Sequence, residues 1–173
     1  LAPAVIGSSP HPGSGEGKGL AVSGSHAYVS VWSYSDADHV YAIDIPDPTT
    51  PYQTAQLTMD AYELALHGNL LYVGGDPTIG SQASGHVRVL DISDPATPVL
   101  VDTCDMGRGI GVYDLAIDGD VAFASHYSVS LGGYGIYSVQ IASRHFAGGT
   151  VVEALPGITW GDLAPLVRIT SIE

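Results

Sequence analysis

Short apolar runs broken by glycine recur along the chain in a fixed order. The stretches GLAVSGSHAYVSV (19–31), ELALHGNLLYVGG (63–75) and DLAIDGDVAFASH (114–126) align position by position. Each reads as an apolar strand, a two-residue turn containing Gly24, Gly68 or Gly119, and a second strand carrying Tyr28, Tyr72 or Phe123. Glycine there supplies the positive φ that a tight hairpin needs. A further strand-like run follows each pair: HVYAIDI (39–45), HVRVLDI (86–92) and, more weakly, GIYSVQI (135–141). The first two lead into DIPDPTTPYQ (44–53) and DISDPATPVL (91–100), so Asp44, Asp47 and Pro48 recur as Asp91, Asp94 and Pro95, 47 residues on. In the third unit Gln140 replaces the aspartate, and ASRHFAGG replaces the proline turn.

A fourth strand is predicted after Pro51 and after Pro98. That makes four short antiparallel strands per unit of about 42 to 51 residues, near the length of a propeller blade. APAVIG (2–7) aligns with TPVLVD (97–102), so the start reads as the last strand of a preceding blade. GDLAP (161–165) resembles the opening of a further unit before Pro165 interrupts it. The expected organisation is all-β, a single partial propeller. Residues 1–18 are its leading strand and connector, 19–60 and 61–107 are blades, 108–157 is a degenerate blade, and 158–173 start another blade or form a cap. Closed propellers typically have about 4–8 blades. Three blades therefore imply either a piece of a larger ring or copies assembled around an axis.

Composition narrows the partners more than the fold. The 173 residues carry 18 acids against 5 bases, a net charge of −13. Such a surface repels phosphate backbones and anionic membranes, which disfavours nucleic-acid binding. No apolar run is long enough to read as a transmembrane helix. Cys104 is the only cysteine, so no intrachain disulfide is expected, and it reads as a small buried hydrophobe.

The combination of VLDISDPATPVLV with DLAIDGDVAFAS and GLAVSGSHAYVS resembles the LVIVD repeat of bacterial and archaeal surface or secreted proteins. The resemblance covers about residues 3–162; it is specific in the second unit, good in the first and degraded in the third. It implies a β-propeller and an extracytoplasmic location. It brings no catalytic residues with it.

Three groups of residues invite a chemical role. The turn residues Asp44, Asp47, Pro48, Asp91, Asp94 and Pro95 come first. An aspartate before proline accepts backbone N–H groups in an Asx-turn while proline sets φ, which is a structural job. Second, Glu63, Asp114 and Asp162 precede the Leu-Ala pair of successive units, where Gly19 stands in the first. On innermost strands these carboxylates would ring the axis, and converging carboxylates suit Ca²⁺. The plainer alternative is that each ties its blade to backbone amides. Third, the loops between second and third strands would display Trp32, Tyr34, Asp36, Asp38, His86, His126 and Tyr127 on one face, where repeat arrays often bind. Aromatics mixed with carboxylates suit sugar or protein recognition, and solvated loops have a similar composition.

No catalytic constellation emerges from the residues. GSGEGKG (13–19) lacks the first glycine and the final Ser or Thr of a phosphate loop, and GRGIG (107–111) precedes a strand rather than a helix. The histidines show neither HExxH nor paired zinc spacing, and the adjacent Ser125 and His126 are not a nucleophile–base arrangement. The expected function is a non-catalytic extracellular or cell-surface scaffold or binding module, meeting a protein or glycan partner. Two alternatives stand beside it: a fragment of a propeller enzyme (a glycan hydrolase or lyase), and a structural protein whose copies pair through open blade edges.

Overall fold

A computed structural model describes residues 2–9, 15–33, 36–75, 84–128 and 132–141. These residues form eleven strands and no helix: β1 (Glu16–Ser23), β2 (His26–Trp32), β3 (His39–Asp44), β4 (Tyr52–Thr58), β5 (Glu63–His67), β6 (Leu70–Gly74), β7 (Ser84–Asp91), β8 (Val99–Arg108), β9 (Ile110–Asp118), β10 (Val121–Ser128) and β11 (Gly133–Gln140). They build three antiparallel sheets in chain order, β1-β2-β3-β4, β5-β6-β7-β8 and β9-β10-β11. The all-β, blade-like architecture expected from the repeat is therefore present. The fourth strand expected for the third unit, the segment 158–173 and Tyr34 fall outside the described residues.

Local rules explain the meander within each sheet. Gly24, Gly68 and Gly119 take φ of 58°, 58° and 55° at the first hairpin of each unit. A side chain there would be strained against its own carbonyl. The end of each third strand is then tied back to that hairpin by one backbone bond. Ile45, Ile92 and Ile141 donate to the carbonyls of Ser25, Asn69 and Asp120 at 2.7, 2.8 and 2.7 Å. The third unit keeps this link although it has lost the Asp-Pro turn.

Alternation along the strands gives each sheet two apolar faces. Ala21, Tyr28, Val40 and Ala42 of the first sheet pack against Leu64, Leu71, Val73 and Leu90 of the second. The opposite face of the second, with Tyr72, Val87, Val89 and Cys104, meets Val112, Leu115, Ala122 and Ala124 of the third. One interface rule thus operates twice. Full burial of a Leu or Val side chain contributes roughly 1.5–3 kcal/mol, so these side chains supply most of the adhesion between sheets. Cys104 lies inside this core, where burial pushes its thiol up to about 12.

The first strands β1, β5 and β9 are neighbours across successive sheets, as innermost blade strands are. Gly19 shows how close they come: a Cβ on it would lie 2.8 Å from the Leu64 amide nitrogen. Residues 2–9, expected as a fourth-type strand, carry none. They run largely exposed instead, and a Cβ on Gly7 would meet the Pro48 carbonyl oxygen.

Candidate functional site

The pairings Glu16 with Trp32, Glu63 with Gly74, and Ile110 with Ser128 bring the starts of the inner strands to one end of the sheets. The β2–β3, β6–β7 and β10–β11 connections leave from that same end, so the inner acids and the loop residues share one face. The Asp-Pro turns and glycine hairpins occupy the other.

On the shared face, a bulge in β1 between Gly17 and Leu20 sets Lys18 apart from the regular ladder. Its ammonium lies 2.6 Å from the Glu16 carboxylate, 5.4 Å from the Trp32 ring centroid and 5.2 Å from that of Tyr62. The hydrogen bond to Glu16 raises the Lys18 pKa, and the nearby Tyr62 oxygen adds to that. Tyr62 in turn meets Tyr113 edge-to-face, with centroids 5.1 Å apart. Each tyrosine immediately precedes an acid in the chain, Glu63 or Asp114.

These acids have matching local geometry. Glu63 accepts the Leu64 amide at 3.1 Å, and Asp114 accepts the Leu115 amide at 2.9 Å. Burial raises the Glu63 pKa; the Leu64 N–H opposes that, and the negative charge of Asp114 adds to it. The first unit has glycine at this position for the steric reason given above. The Gly19 amide donates to Ser30 Oγ at 2.6 Å, and that hydroxyl donates to the Tyr62 carbonyl at 2.6 Å. Asp162 falls outside the described residues. Among the described residues, no three His, Cys, Asp or Glu side chains are grouped to hold a metal ion.

The loop residues divide into displayed and buried. Trp32 is half-buried beneath Lys18, and Asp36 is exposed, accepting the Ala37 amide at 2.9 Å. Asp38 is buried instead of displayed, because its carboxylate accepts the Ser33 amide at 2.9 Å and pins the loop. Burial raises its pKa, opposed by the Ser33 and Ala61 amides. His126 is buried too, stacked on Tyr137 at 4.1 Å, and His86 is partly buried. The Nδ1 atoms of both have no hydrogen-bond partner. Tyr127 lies 4.9 Å from Tyr134 on the third sheet.

The turn residues sit at the other end. Asp47 accepts the Thr49 amide at 2.9 Å, the Thr49 hydroxyl at 2.6 Å and the Thr50 hydroxyl at 3.1 Å. Asp94 accepts the Ala96 amide at 3.2 Å and the Thr97 hydroxyl at 2.7 Å. Asp91 accepts the Ser93 amide at 2.8 Å, while Asp44 lies 3.9 Å from His26. Pro95 contributes a carbonyl to Tyr28 of the preceding sheet, at 3.3 Å. Pro48 begins the same turn in the first unit.

Sequence reasoning singled out Trp32, Glu63 and Asp114 but missed Lys18, Tyr62 and Tyr113. The tyrosines carried a signal: each stands directly before the repeated acid. Lys18 had none, because a bulge and a cross-sheet ring contact are not written in spacing.

A family model for the LVIVD repeat matches residues 14–55 and 60–106, a little over half of the chain. A search of curated proteins finds no match.

Proposed function

The chain belongs to the LVIVD-repeat family, and from that premise we propose a non-catalytic binding module that acts outside the cytoplasm. Its loop-bearing face engages a neutral glycan. The observation that carries this reading is the row Trp32–Lys18–Tyr62–Tyr113, with Glu63 and Asp114 next in the chain to its two tyrosines. Half-buried aromatic rings offer an apolar platform for the C–H face of a sugar. The Glu63 and Asp114 carboxylates accept sugar hydroxyls in charge-assisted hydrogen bonds. The net charge of −13 repels anionic polysaccharides and so favours neutral ones. Lys18 is neutralised by Glu16 and holds the two rings in place, so its charge is not open to an acidic ligand.

An array of neutral and acidic oligosaccharides probed with the intact chain tests the proposal. Retention of neutral glycans, lost in Trp32→Ala and in the Tyr62→Ala/Tyr113→Ala pair, is expected. Retention on acidic glycans alone, or equal retention by the variants, would overturn it.

A further inference from the structure

We propose that the outer apolar face of the third sheet docks the first sheet of a second copy of this chain, head to tail. Phe123 occupies the position of Tyr28 and Tyr72, which are 0% and 1% exposed where the next sheet covers them, yet Phe123 is 42% exposed. The ladder pairs Phe123 with Ser138, Ser125 with Ile136 and Tyr127 with Tyr134, which places Tyr134 (86% exposed) and Ile136 (73%) on that same face. Exposed apolar residues gathered on one face mark an interaction surface.

The occupant follows from the interface already present twice. In both internal contacts, a face of the Tyr28 type is covered by a face of the Leu64 type. Leu64 and Leu115 fill that role and are buried. Their counterpart in the first sheet is Leu20, 65% exposed, with Val22 at 55% beside it. Among the described residues, one face of each kind is therefore left uncovered. They lie on opposite sides of the three described sheets and point apart, so these three sheets do not close on each other. Two copies can, each third sheet against the other's first sheet. Heterologous contacts of this kind generate a ring when the rotation closes. Such a pair brings together six of the described sheets, inside the range of about 4–8 found in closed propellers.

Light scattering during size-exclusion chromatography of the intact chain reads the outcome directly. The wild-type chain is expected at twice its 17.9 kDa mass. Phe123→Glu and Leu20→Glu each change an exposed position, so folding, checked by circular dichroism, is kept. Each is expected to weaken pairing at least ~10-fold and run as a monomer. Mixing the two variants restores a pair, because one wild-type face of each kind remains available. Two results would overturn the proposal. A wild-type monomer at all concentrations is the outcome if residues 142–173 of the same chain cover the face. A Leu20→Glu chain that stays dimeric would mean that like faces pair.

Discussion

The Tyr28 hydroxyl donates to the Pro95 carbonyl at 3.3 Å, across the boundary between the first and second sheets. Tyr28 is wholly buried, and burial raises its pKa, with the nearby Asp94 charge adding to the effect. The Asp-Pro turn therefore has a second job. Asp94 shapes the turn through the Ala96 amide and the Thr97 hydroxyl, and the shaped turn presents a carbonyl to its neighbour. Apolar burial provides the adhesion; this bond sets the position of one sheet on the next.

Tyr28→Phe removes that bond and nothing else of size. A loss of about 1 kcal/mol in urea-unfolding stability is expected. Tyr28→Ala also opens a cavity, with an expected loss of roughly 3–5 kcal/mol. Equal effects of the two substitutions would show that the hydroxyl bond dominates, contrary to this reading.

The closeness of the inner strands gives a sharper contrast between two glycines. A Cβ at Gly19 would press on the Leu64 amide, whereas one at Gly17 meets nothing within 4 Å. Gly19→Ala is expected to lower stability by about 1–3 kcal/mol and Gly17→Ala to leave it nearly unchanged. Thermal melting of both variants checks this.

Acid should loosen the third sheet. Burial holds the His126 pKa below its ordinary 6.5, and its ring is packed on Tyr137 beside Gly135. The unfolded chain then binds more protons as pH falls through 6.5, so stability is full above that pH and declines below it. His126→Phe keeps the stacked ring and should flatten the decline in melting temperature between about pH 7 and pH 5. His86, lowered by burial and then by Arg88, retains part of the slope.

Glu63 has the opposite sign. Its raised pKa means that ionisation is disfavoured in the fold. Its contribution is full below its ordinary 4.5 and lost as pH rises through the folded value. Glu63→Gln keeps an acceptor for the Leu64 amide and should stabilise the chain near neutral pH. The expected gain is only ~0.5 kcal/mol, because solvent screens this half-buried group. The gain should vanish once wild-type Glu63 is itself protonated in acid.

Much of this architecture was legible in the chain. Gly24, Gly68 and Gly119 mark hairpins because their φ requirement is local, and the Asp-Pro turns mark the third-to-fourth-strand corner for the same reason. The role of Tyr28 was not legible, although its position recurs, because its partner lies 67 residues away. Asp38 reads as a solvated loop carboxylate; only the folded loop shows it turned inward onto the Ser33 amide. The aromatic row depends on a β-bulge and on contacts between sheets, so spacing gave Trp32 and the acids but not their neighbours.

Binding isotherms for a neutral oligosaccharide, recorded for the wild-type chain and for Tyr62→Ala/Tyr113→Ala, test the proposed function most directly. Stacked rings contribute about 0.5–1.5 kcal/mol each, so loss of both should weaken binding by roughly tenfold or more, with the melting temperature little changed. Unchanged affinity in the double variant, or no neutral glycan bound by the wild-type chain, would contradict it.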